Sequence, residues 1–175
     1  MIKTIRPTSD GNHTDFSPLF GIVHYVEVDE VIADDATTSN VGMLGADDWI
    51  LIDSYGVEDI QATHVEQVKV FIRVKGEVYP TPHDYRAKIL CRTHDNDYYS
   101  DVKTLDGYGD TWENFDFTWT VNPNTSLPWT EDEVNAMEIG ITIAGDASWF
   151  VEITQAYAEV SCVYSRMPTF RPVGS

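Results

Sequence analysis

The stretch FDFTWTVNPNTSLPWTEDEVNAMEIGITI, Phe115 to Ile143, decides how the rest of the chain is read. Phe115, Phe117, Trp119 and Val121 alternate with Asp116, Thr118 and Thr120, the two-residue period of a half-buried strand. Asn122-Pro123 ends it, because proline has no N–H for a ladder and pushes its predecessor out of helical geometry. Trp129 anchors the connector. Thr130 then stands where a helix N-cap belongs and Glu133 where the reciprocal carboxylate of a capping box belongs. Acids at 131, 132 and 133 also suit the positive end of a helix dipole. The expected helix is short, near 130–137. Ile139, Ile141 and Ile143 resume strand alternation, so one helical plug separates two core strands.

Outward from this stretch, the cleanest strand is VEQVKVFIRVK, Val65 to Lys75. Val68, Val70, Ile72 and Val74 share one face; Lys69, Arg73 and Lys75 share the other with Phe71, which therefore needs cover. Strands are also expected at Ile22–Asp29, Trp49–Tyr55, Tyr85–Thr93, Tyr98–Leu105 and Trp149–Tyr164, with an edge strand in Met1–Arg6. Thr8–Asp15 reads as a turn-rich loop and Glu30–Gly45 as irregular chain. His94-Asp95-Asn96-Asp97 reads as a hairpin tip. About nine or ten short strands and one helix predict an all-β antiparallel β-sandwich of jelly-roll type. A single domain is expected over 1–165, with an extended, proline-containing tail over 166–175.

The formal charge is −18 and the pI near 4.3. That excludes nucleic-acid binding through clustered lysine and arginine, and weighs against docking on anionic membranes. A solvated, self-repelling surface accounts for the charge; adaptation to high salt and diffuse cation binding are the alternatives. No apolar run has the length of a membrane span. MIKTIRP lacks the apolar segment of a signal peptide, so no Sec-type export is expected. Cys91 and Cys162 fall in expected strands beside small apolar residues and read as buried hydrophobes, with a disulfide as the alternative.

Catalytic patterns are absent. There is no G-x-S-x-G, no Walker loop and no C-x-x-C, and Gly107-Tyr108-Gly109 is a lone G-x-G. His13, His24, His64, His83 and His94 lie too far apart in sequence for a zinc pattern. No enzyme activity and no cofactor are expected. Calcium is the one metal with hard oxygen ligands gathered for it, at Asp95, Asn96, Asp97 and Asp101 and at Asp29, Glu30, Asp34 and Asp35; turn chemistry accounts for the same residues. Tyr98, Tyr99, Tyr108 and Trp112 gather around two loops. Core packing, a protein interface and glycan stacking are the three uses of such rings.

In order, the chain carries Ile5-Arg6-Pro7, His24-Tyr25, Val28-Asp29-Glu30, Asp34-Asp35-x-Thr37-Thr38, Trp119, Asn122-Pro123-Asn124-Thr125, Pro128-Trp129-Thr130 and Glu138-x-Gly140-Ile141. In this it resembles small jelly-roll proteins encoded among the virion genes of tailed phages and related viruses, over roughly Ile2 to Tyr164. The resemblance implies a non-enzymatic structural component of a virus particle: a capsid decoration, head-fibre or tail-associated protein. It implies contacts with other virion proteins and a homo-oligomer, a trimer being the natural form for jelly rolls on capsids. Its motif is structural and transfers no catalytic residue. The alternative is a carbohydrate-binding module in host or glycan recognition.

Overall fold

A computed structural model describes residues 1–15, 17–18, 25, 28–29, 35, 38–42, 46–76, 85–105, 111–145 and 150–164. The strands are β1 (Ile2–Ile5), β2 (Pro7–Thr14), β3 (Ser17–Pro18), β4 (Ser39–Gly42), β5 (Ala46–Val57), β6 (His64–Gly76), β7 (Tyr85–Thr93), β8 (Asn96–Tyr99), β9 (Lys103–Leu105) and β10 (Glu113–Trp119). The helix α1 (Glu131–Asn135), alone among the described residues, then β11 (Glu138–Gly145) and β12 (Phe150–Val163), complete them. Two six-stranded antiparallel sheets form a sandwich. The first runs β10-β6-β12-β4-β3 with β1 also on β12; the second runs β2-β5-β11-β7-β8 with β9 also on β7. From β5 onward the chain passes back and forth between the sheets, with β7, β8 and β9 together in the second, a two-sheet antiparallel sandwich as predicted from the sequence.

The core lies between the sheets. Val68, Val70, Ile72 and Val74 of β6 are buried against it, as are Ile139, Ile141 and Ile143 of β11 and Ala156, Ala158 and Val160 of β12. At 25 cal/mol per Å² of apolar surface, side chains of this kind contribute about 1.5–3 kcal/mol each. Phe71 finds its cover in Tyr157, stacked at 4.7 Å and 9° on the outer face of the first sheet. Burial pushes the Tyr157 phenol up, with Glu159 adding to it. Cys91 and Cys162 are buried, free thiols on opposite sheets, and burial pushes Cys91 up to about 12.

The corner between β10 and α1 is a hydrogen-bonded unit. The Asn122 amide donates to the Leu127 carbonyl (2.9 Å), and Ser126, at φ 58°, donates to the Asn122 carbonyl (2.8 Å). Trp129, buried, donates its indole N–H to the Trp119 carbonyl (3.2 Å). Thr130 and Glu133 form the predicted capping box, though the helix is five residues, shorter than the 130–137 expected.

Several expectations are corrected. The described residues hold twelve strands, against the nine or ten expected. Thr8–Asp15 is not a loop: β2 occupies it, because its turn formers sit in a bulge. Ser39–Gly42 is a strand within chain read as irregular. β10 stops at Trp119, leaving Val121 exposed (41%), since Asn122 is committed to the corner. The hairpin turn narrows to His94-Asp95, both at positive φ (52° and 59°), and β8 ends before Ser100, so Tyr98–Leu105 is two short strands. Of the Ile22–Asp29 strand only 25, 28 and 29 are described; Tyr25 lies in a 3₁₀ turn and Val28 in a turn. The 166–175 tail, His24, His83, Glu30, Asp34 and Tyr108 lie outside the described residues.

Candidate functional site

The outer face of the second sheet carries a connected polar cluster. Asp10 pairs with Tyr55 and Thr14 with Asp53, so Gly11, Asn12 and His13 stand opposite the single residue Ser54. This bulge throws β2 out over the sheet. Gly11 lies against Ser54 and Glu138 so closely that a Cβ there would fall 2.8 Å from the Ser54 carbonyl carbon. The Asn12 amide donates to Glu138 Oε2 (2.8 Å), and its side-chain amide donates to Glu138 Oε1. Ser54 Oγ donates to Glu138 Oε2 (2.7 Å) while accepting from the His13 amide (3.1 Å).

Beyond Glu138 the strap reaches β8. His13 Nε2 lies 2.9 Å from Asp97 Oδ2, and Arg92 donates to Asp97 Oδ1 at 2.7 Å. The Asp97 hydrogen bond raises the Arg92 guanidinium further, with Glu138 and Asp95 adding to it. At the rim Tyr99 is 39% exposed, its hydroxyl 3.5 Å from Asp97 Oδ2 and Lys88 Nζ 5.8 Å from its ring centroid. Partial burial, then the Asp97 charge, raises the Tyr99 phenol. Leu90, the register partner of Tyr99, is buried, as are Thr142 and Ala144 farther along β11. The chemistry on offer is recognition. A carboxylate holding donors on both oxygens, a guanidinium and an accessible aromatic ring make a preorganised hydrogen-bonding surface.

Of the four aromatics singled out from the sequence, Tyr108 lies outside the described residues and the other three do not form one site. Tyr98 faces the core side of β8, paired with Cys91, and its hydroxyl donates to Asn124 Oδ1 (2.7 Å), a packing role. Trp112 is on the first sheet's outer face, half-buried under Arg73 (5.5 Å) and Lys75 (4.9 Å). Arg73 itself forks onto Asp35, both contacts 2.8 Å, and that hydrogen bond raises its basicity. Of the three described, Tyr99 joins the polar cluster. Sequence reasoning missed Asn12, His13, Ser54, Arg92 and Glu138 as members of that cluster. The lone signal in the sequence was the Asp10-Gly11-Asn12 turn chemistry inside an otherwise extended segment.

For calcium, Asp97 is already held by Arg92 and His13, and Asp95 projects into solvent with Arg92 3.8 Å away. No group of three or more metal-ligating side chains forms among the described residues. A cavity of about 540 Å³ lies between Ala62–His64 and Pro128–Asp132. Its acids serve the fold: Glu131 accepts from the Ala62 amide (3.0 Å).

No family model and no curated protein matches the chain. Among solved structures it is distantly similar to the xylan-binding module CBM15, at 12% identity over 94% of this chain and 99% of that one, TM-score 0.48. It is likewise similar to the carbohydrate-binding module CBM6cm-2 from Cellvibrio mixtus lichenase 5A, solved with cellotriose (13%, 94% and 100%, TM-score 0.41). A third is the enzymatically active domain of Bacteriophage CBA120 tailspike protein 4 (10%, 91% of this chain but 19% of that one, TM-score 0.39). The sandwich assignment rests on this chain's own two sheets.

Proposed function

We propose that the protein is a non-catalytic binding module for neutral carbohydrate, with Tyr99 and the Arg92–Asp97–Glu138 cluster as its contact surface. One observation carries the reading: an exposed tyrosine ring stands at the rim of a polar network whose geometry is fixed by a strap from another strand. Sugar rings present C–H faces that pack on aromatics, and paired hydroxyls that match carboxylate and guanidinium forks. A formal charge of −18 disfavours polyanionic glycans by long-range repulsion, so the ligand class is neutral. The test is calorimetric titration with xylan and cellotriose, followed by a wider panel of neutral oligosaccharides. At least one should bind, and Tyr99→Ala should weaken it about tenfold, the loss of one stacked ring. Silence across the panel overturns the reading.

The resemblance to virion jelly-roll proteins supports a second reading, a particle component acting through protein–protein contacts. The observation on its side is the Asn122–Trp129 corner, which forms one hydrogen-bonded unit from the residues that carry the resemblance. Mass spectrometry of purified particles, or the neighbourhood of the gene, tests it. Absence from particles and from virion gene clusters removes it.

A further inference from the structure

Among the described residues, no strand bridges the two sheets on the side where β10 lies. β10 is an edge strand of the first sheet, with β6 its only strand partner among the described residues. Facing it, the Ser100–Lys103 segment links β8 to β9 at the edge of the second sheet. Between them runs a groove of about 310 Å³. Phe115 and Phe117 of β10 point inward and form part of its lining; Phe117 is half-buried against the core and edge-on to Trp119 at 4.7 Å. Val102, 51% exposed, lines the opposite side. An edge strand of seven residues presents a row of backbone donors and acceptors to whatever lies beside it. Here that row borders apolar side chains.

Asp101 and Asp116 line the rim with Lys103, and Lys69 stands 3.1 Å from Asp116, which is 45% exposed; the chain's overall charge of −18 favours a basic partner over an acidic one. A second copy of the chain is a poor occupant. Pairing β10 with itself about Asp116 sets carboxylate against carboxylate, and each copy carries −18.

We infer that this groove takes an extended segment of a different polypeptide, added as a strand along β10, with apolar side chains at alternate positions facing Phe115, Phe117 and Val102 and basic ones facing Asp116. Main-chain hydrogen bonds supply the affinity and the alternation supplies the selectivity. This inference is independent of the carbohydrate reading and uses the opposite kind of surface, a sheet edge.

Fluorescence anisotropy of the full chain with three labelled heptapeptides at about 0.15 M salt tests it: alternating valine–lysine, its valine–glutamate counterpart, and the lysine version with a central proline. The lysine peptide should bind at least tenfold more tightly than either of the others, because proline cannot join a ladder. Asp116→Lys should weaken the lysine peptide and strengthen the glutamate one, each about fivefold, with the melting temperature reporting an intact fold. Equal binding of the proline peptide, or a preference indifferent to Asp116→Lys, overturns it. So does a dimer in sizing experiments that Asp116→Lys dissociates, for then the occupant is a second copy.

Discussion

His13 Nε2 sits 2.9 Å from Asp97 Oδ2, although β2 and β8 are the two ends of the second sheet's strand order. Three strands lie between them. The contact exists because Gly11, Asn12 and His13 leave the ladder opposite Ser54 and cross above Glu138, which takes donors from Asn12 and Ser54 on the way. A bulge, ordinarily a local kink, here becomes a brace across a sheet.

Gly11→Ala tests the brace. At an unstrained position this change stabilises by up to about 1 kcal/mol through the unfolded state. Here the methyl would meet the Ser54 backbone at 2.8 Å as well as the Glu138 carboxylate, so the sign reverses. The expected cost is about 1–3 kcal/mol by urea denaturation, the range for overpacking.

Trp129→Phe keeps a buried aromatic ring, smaller than the indole, and removes the indole donor from the Trp119 carbonyl. A buried acceptor left without its partner costs about 1–3 kcal/mol. Guanidinium denaturation should show a loss in this range. An unchanged midpoint would mean that the corner is held by packing alone.

Thr130→Ala removes one half of the capping box and should cost about 1 kcal/mol; Thr130→Ser should recover most of it. Thermal melts of the three proteins check both values.

The Cys91 thiol, at about 12 in the fold against 9.0 unfolded, gives stability a defined alkaline dependence. Above pH 9.0 the unfolded thiol loses its proton while the folded one keeps it, so the unfolded state gains. Stability present below pH 9.0 is lost between there and about 12, by about 1.4 kcal/mol per pH unit. Cys91→Ala should flatten that slope, measured by urea midpoints between pH 8 and 10.5. Native protein at pH 8 should also leave Cys91 unmodified by a thiol reagent.

The sandwich was legible where burial alone sets the pattern. From Val68 to Val74 every second residue meets the core, and the single misfit, Phe71, announced its need of a partner; Tyr157 is that partner. The corner was legible because its determinants are local: Asn122, Trp129, Thr130 and Glu133 act within a few residues of one another. Thr8–Asp15 was misread for the opposite reason. Asp10, Gly11 and Asn12 are turn formers wherever they occur, and that they serve a bulge depends on Ser54 and Glu138. The polar cluster was invisible on the same grounds, since His13 and Asp97 are separated by 84 residues. Of the aromatics, Tyr99 could be picked out as a ring beside a turn; that it stands near Asp97 and Lys88 is a matter of register between β7, β8 and β11.

The most direct measurement of ligand binding on the outer face of the second sheet is ¹H–¹⁵N shift mapping during titration with xylan-derived oligosaccharides, cellotriose and a panel of neutral sugars. Saturable shifts should centre on Asn12, His13, Arg92, Asp97 and Tyr99, and Tyr99→Ala should weaken them. Shifts centred instead on Phe71, Trp112 and Tyr157 of the other sheet, or none across the panel, would contradict it.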